Sequence, residues 1–130
     1  MTDKHLATAS KAANSPDANE LFAGSTDLIV TRKVTLAQGQ QLKRGALLGK
    51  LTAGGKYKLS ASAASDGSQK PSAVLVHNHD TTDGDAEATV YVRGNFNAAA
   101  MTFGAGHTAD SVRDELHALG IVIVKPYGMA

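Results

Sequence analysis

"ATVYVRGNF", residues 88–96, is the stretch that sets the class of fold. Ala88, Val90, Val92 and Phe96 share one face under a period of two, and Thr89, Tyr91 and Arg93 share the other. Successive side chains of a strand point to opposite sides, so this alternation predicts a half-buried β-strand. The same period runs through "LIVTRKVTL" (28–36), where Leu28, Val30, Val34 and Leu36 line one face, broken by Arg32. Thr31, Lys33 and Thr35 take the other face. "ALLGKLTAGGKYKLSA" (46–61) predicts a hairpin. Residues 46–51 pair with 56–60 around "TAGG", whose glycines supply the positive φ that tight turns need. In "SAVLVHNH" (72–79), Val74, Leu75 and Val76 are apolar on both faces, which predicts a strand buried on both sides. "IVIV" (121–124) reads as a further buried strand, ended by Pro126.

One helix is well signalled, in "HTADSVRDELHALG" (107–120). Thr108 is placed to cap its first amides, Asp110 complements the dipole, and Gly120 offers a left-handed stop. Val112, Leu116 and Leu119 form the apolar stripe expected to face the core. A second helical turn is expected after Asn97, through "AAAM" (98–101). Residues 37–45 and 62–71 are polar loops, and "DTTDGD" (80–85) is a turn. About six short strands with one or two short helices describe a mainly β (α+β) single domain.

The chain has 130 residues, the size of one domain with its own core. Residues 1–20 are rich in Ala, Ser, Asn, Asp and Lys. Such a segment buries too little apolar surface to offset its ordering entropy, so it is expected to be a flexible arm ahead of a domain over 21–130. The absence of cysteine excludes disulfides, thiolate zinc sites and cysteine nucleophiles. A net charge of +1, without a Lys/Arg block, gives no sign of a nucleic-acid surface. No apolar run approaches the ~20 residues of a membrane span. The first twenty residues lack the apolar core of a secretory signal, so synthesis in a cytoplasm is expected.

Candidate chemistry centres on "VHNHDTTDGD" (76–85). If the strand continued through it, His77 and His79 would point to one face and could meet one metal ion. Cupin-type barrels present their first two ligands in this way. They also need a glutamate a few residues on and a distant third histidine. Here Asp83 and Glu87 follow, and the downstream histidines are His107, in a glycine-rich loop, and His117, on the helix. The opposing reading is a strand end followed by aspartates that hydrogen-bond their own turn. "DTTDGD" lacks the ligand order and closing glutamate of an EF-hand. No G-x-S-x-G elbow or complete phosphate-loop frame is present. "GAGHTAD" (104–110) precedes a helix but follows no dinucleotide-binding frame. The Arg32–Lys33 and Lys43–Arg44 pairs read as solvated charges.

The order of segments resembles that of the lambda-type head decoration proteins of tailed bacteriophages. The matching residues are Val34 to Leu36, Gly39 and Gln40, Leu42, Gly45, Leu48 and Gly49, Gly55 to Tyr57, Ala64 to Gln69, Ala73 to Leu75, and Asp80. Asn97 to Ala99 and the closing "ALGIVIVK" (118–125) are similar to later pieces of the family pattern. The resemblance spans roughly residues 21–125. It departs from the family at His77, Asn78 and His79, where relatives carry tyrosine, alanine or valine.

The resemblance implies a small β-barrel, β-tulip-like domain that acts as a structural virion protein without catalytic site or cofactor. It implies homotrimers on the outside of the expanded head, at three-fold and quasi-three-fold positions. There they clamp the major capsid protein against packaged-DNA pressure, with no direct nucleic-acid or membrane contact. Capsid binding would fall to the N-terminal arm, here Ala18, Asn19, Glu20, Leu21 and Phe22, with the last two anchoring it to the domain. The alternative is a cupin-like metal-dependent enzyme using His77 and His79. A sugar-binding β module is disfavoured by the 5% aromatic content.

Overall fold

The computed structural model describes residues 21–23 and 29–125. Among them lie β1 (Val30–Leu36), β2 (Gln41–Leu42), β3 (Leu47–Lys50), β4 (Tyr57–Leu59), β5 (Pro71–Leu75), β6 (His79–Asp80) and β7 (Ala86–Asn97). A 3-10 turn at Ala98–Ala100, the helix α1 (Ala109–Leu119) and β8 (Ile121–Val124) follow. The order β1-β4-β3-β5-β7, with β7 returning to β1, closes a five-strand barrel. β8 pairs in parallel with the far half of β7, from Gly94↔Ile121 to Asn97↔Val124. β2 and β6 form a separate two-stranded ribbon. No helix among the described residues is long and apolar enough to cross a membrane.

β7 departs from simple alternation. On β1, Thr31 pairs with Tyr91 and its neighbour Val30 with Arg93, so Val92 is skipped. Two residues on Gly94 has φ +148, a conformation few side chains tolerate. The pleat changes phase here. Ala88 and Val90 face the barrel interior, with Val92 packed beside them. Phe96, expected on that same face, instead joins Tyr91, with ring centroids 5.5 Å apart. A bulge is the physical cause, since one extra residue flips every side chain beyond it.

Two cores result. The barrel core contains Leu36, Leu48, Tyr57, Ala73, Leu75 and Val90. The second lies between the outside of the barrel and α1, with Leu47, Val74, Val76, Phe96, Val112 and Leu116. β3 and β5 send alternate residues into each, which explains why Val74, Leu75 and Val76 are all buried, as their sequence predicts. Each such side chain contributes roughly 1.5–3 kcal/mol over an exposed one.

The helix follows its sequence signals at both ends. Thr108 Oγ1 accepts from the Ser111 amide at 3.1 Å and Ser111 Oγ accepts from the Thr108 amide at 2.8 Å, a reciprocal cap. Gly120, at φ 95, stops it. Ala109, Val112 and Leu116 are buried, but Leu119 is 51% exposed. It is the last helical residue, and the chain turns at Gly120 to begin pairing with Gly94, so the stripe outruns the sheet that would cover it. β8 is buried at Ile121 and Ile123 but exposed at Val124, because alternate side chains of the strand face away from the core. Val30 is likewise exposed at the start of β1, and Leu28 and Pro126 lie outside the described residues.

The hairpin β3–β4 forms with Gly54 and Gly55 at positive φ, as expected. Its far side meets β1 through one residue pair, Leu36↔Tyr57. Beyond that pair a side chain replaces the ladder. Gln40 Nε2 donates to Ala37 O at 2.8 Å and to Tyr57 O at 3.4 Å. Gln40 Oε1 accepts from the Leu59 amide at 2.9 Å. Gln40→Ala therefore leaves a strand amide unsatisfied at the seam and is expected to lower unfolding stability by about 2 kcal/mol. The exposed neighbour Gln41→Ala is expected to change it by less than about 0.5 kcal/mol. Urea denaturation of the two variants measures both.

Candidate functional site

β5 ends at Leu75, and only the Val76 amide still bonds to β7, at Thr89 O, 3.1 Å. His77 is exposed in the bend that follows, and His79 opens β6 opposite Leu42. The two histidines therefore do not sit two apart on one strand, the arrangement that would aim both at one ion. Among the described residues no group of three or more His, Cys, Asp or Glu is placed to hold a metal. An open groove of about 510 Å³ runs along the ribbon, lined by Gln41, Leu42, Lys43, Asn78, His79 and Asp80.

The aspartates that follow build the turn. Asp80 Oδ1 accepts from the Thr82 hydroxyl at 2.5 Å and from its amide at 2.9 Å. These bonds, the hydroxyl first, hold the Asp80 carboxyl below the usual range. Asp85 accepts from Lys56 and from the Gln38 amide, and the Lys56 bond is the larger cause of its lowered pKa. Thr81 is buried and donates to Ala37 O at 2.8 Å, tying the turn to the barrel seam.

A serine–histidine contact occurs elsewhere. Ser60 Oγ lies 3.1 Å from His107 Nε2. The Ser60 hydroxyl donates to Ser68 O at 2.6 Å. Its one proton is thus committed, and Nε2 must be the donor in the other contact. An activated nucleophile needs the opposite polarity, with the serine donating to the imidazole. Gly104 explains the glycine-rich loop, since a Cβ there would collide with Ser60 O.

The most built feature is the point where the chain enters the domain. Leu21 is 2% exposed and belongs to the second core. Its carbonyl accepts from the Asn97 amide at 2.6 Å, and the Ala23 amide donates to Asn95 O at 3.1 Å. Phe22 is bridged to Phe96 between these bonds. The Phe22 ring meets Tyr91 edge-on at 5.1 Å. Arg44 covers this pair, its guanidinium carbon 5.6 Å from the Phe22 centroid and 6.0 Å from that of Tyr91. Arg44 Nη1 donates to Val76 O at 3.0 Å and to the Tyr91 hydroxyl at 3.3 Å. Its own amide donates to Asn78 Oδ1 at 2.7 Å.

Of the sequence-derived arm residues, Leu21 and Phe22 come together here, while Ala18, Asn19 and Glu20 lie outside the described residues. Arg44 is not the merely solvated charge its sequence suggests. No local pattern marks it, because its partner Tyr91 is 47 residues away. Asn78, within the stretch that raised the metal question, serves this latch instead.

The described residues form a closed barrel flanked by one helix, with Leu21 and Phe22 bolted to the core between them. Residues 10–122 match the family described as bacteriophage lambda head decoration protein D, and the chain belongs to that family. It is a phage head decoration protein, a structural component of the capsid. The match reaches back to residue 10, into the segment that the resemblance across 21–125 leaves out. No curated protein matches the chain.

Two outcomes are expected. Arg44→Ala removes ring stacking and two side-chain bonds, and should cost about 1–2 kcal/mol in a denaturation experiment. Lys43→Ala, one residue before, should change stability by less than about 0.5 kcal/mol. The second outcome concerns acid. Asp66, Asp80, Asp85 and Asp110 all have pKa values lowered by hydrogen bonds in the folded state. Their stabilisation is complete above the unfolded value of about 3.9 and is lost as pH falls through the depressed native values. Urea midpoints should drop below about pH 4, and Asp85→Asn should make that drop shallower.

Proposed function

We propose that this chain forms homotrimers that bind the outer surface of the expanded phage head at three-fold and quasi-three-fold sites. They hold neighbouring major capsid subunits together against the pressure of packaged DNA. Synthesis takes place in the bacterial host cytoplasm, and no cofactor or nucleic acid takes part. The observation that carries this reading is family membership across residues 10–122. Residues 1–20 act as the capsid-binding arm, and Ala18, Asn19 and Glu20 are its last residues before the domain. The buried Leu21 and the clamped Phe22 support that role. They give a pull on the arm a rigid attachment, so capsid contacts made upstream load the barrel rather than peel it. A segment of that composition can wrap a partner surface and add main-chain hydrogen bonds to it.

Purified protein is expected to bind expanded heads of its own phage, to ignore precursor heads, and to raise the temperature at which expanded heads release DNA. Binding equal on both particles, or no gain in heat resistance, would refute the cement role. Removing residues 1–20 should leave the denaturation midpoint of the domain in place and weaken head binding at least tenfold, about 1.4 kcal/mol. Unchanged affinity would take the arm out of the mechanism.

A further inference from the structure

We infer that the free edge of β1 is a docking surface for an extended, carboxylate-bearing strand of the major capsid protein. The inference rests on the decoration role above and names a second contact, separate from the arm. β1 is laddered to β7 along its whole length, from Leu36↔Ala86 to Val30↔Arg93. Its other edge meets β4 at Leu36↔Tyr57 alone. Across residues 30–34 that edge has no backbone partner among the described residues. β1 is exposed at Val30, Thr31, Arg32, Lys33 and Thr35.

Edges of this kind attract strands, and proteins normally shorten, cover, interrupt or charge them. This one holds neither proline nor glycine, and four of its seven residues are β-branched: Val30, Thr31, Val34 and Thr35. The direction of its amides follows from the seam. The Ala37 amide donates to Tyr57 O, so its direction is toward β4. Alternate residues of a strand share direction, so the amides of Lys33 and Thr31 point out of the free edge while those of Arg32 and Val34 serve β7.

Charge decides which strand fits. Arg32 lies on the side of β1 that carries Val34 and Leu36, and Lys33 on the side that carries Thr31 and Thr35. Neither cation makes an ion pair among the described residues; those pairs use Lys56, Lys58, Arg113 and Lys125. Two copies joined antiparallel through this edge, centred on Arg32 or on Lys33, would set that cation directly opposite its own copy, and like charges directly opposite are destabilising. An incoming strand with carboxylates at adjacent positions meets a cation on each face. Main-chain bonds then supply affinity and the two cations supply register.

The test uses full-length protein and DNA-free expanded heads of its own phage. Lys33→Pro deletes one outward amide and leaves the β7 ladder intact, a placement edge strands accept. Arg32→Glu/Lys33→Glu reverses the charge and leaves the backbone whole, which keeps the test valid if the proline variant fails to fold. Each variant should weaken head binding about tenfold. Wild-type affinity should fall as salt rises, and the Glu pair should abolish that dependence. Wild-type affinity in both variants overturns the inference while leaving the decoration role standing. So does a change in oligomeric state with head affinity per assembled unit unchanged, which would give the edge to a second copy. Failure of the wild-type protein itself to bind heads overturns the decoration role and the inference with it.

Discussion

The structure depends on one strand serving two cores. β7 buries Ala88 and Val90 inside the barrel, then changes phase around Val92 and Gly94 so that Phe96 joins Tyr91 on the helix side. Without that slip Phe96 would point away from α1 and β8 would have no apolar face to continue. The root of the N-terminal segment would also lose its platform, since Phe22 packs on both Tyr91 and Phe96. Barrel, helix layer and entry point are thus set by one irregularity in a single ladder. A mismatch of this sort is costly in isolation and persists where packing on both sides requires it.

The opposite side of the barrel is built by different means. β1 and β4 share one residue pair, and the remaining closure comes from the Gln40 amide and the Thr81 hydroxyl. Side chains can seal such a seam because they satisfy the same donors and acceptors as a ladder would. They do so only near Gln40. Upstream the two strands part, and among the described residues, 30–34 have no backbone partner on that edge. The barrel is therefore closed at one end of its seam and unpaired at the other. That asymmetry gives a structural protein a place to extend its sheet.

The histidine- and aspartate-rich stretch takes its meaning from these two features. Asp80, Thr81 and Asp85 lock the turn against Thr82, Ala37 and Lys56, and Asn78 holds the backbone of Arg44. Arg44 in turn covers Phe22. Residues that look like metal chemistry in one dimension mostly tie the seam to the entry latch in three. His77 lies in the bend that follows β5, and His79 beyond it in β6, since β5 stops at Leu75.

The sequence by itself determined the local pieces. Alternation marked β1 and β7, an unbroken apolar run marked β5, paired glycines marked the β3–β4 hairpin, and Thr108 and Gly120 bounded the helix. These depend on backbone preferences and on neighbours a few residues away, so they are written in short stretches. The order of segments also carried the family, because the spacing between turns can be matched without the fold being known. Tertiary structure alone decided the phase change in β7, the exposure of Leu119, the role of Gln40 and the recruitment of Arg44. Each turns on a partner distant in sequence or on where a neighbouring element ends. Period and composition describe a residue's own chain, whereas burial and hydrogen bonding at these sites depend on which other segment arrives beside it.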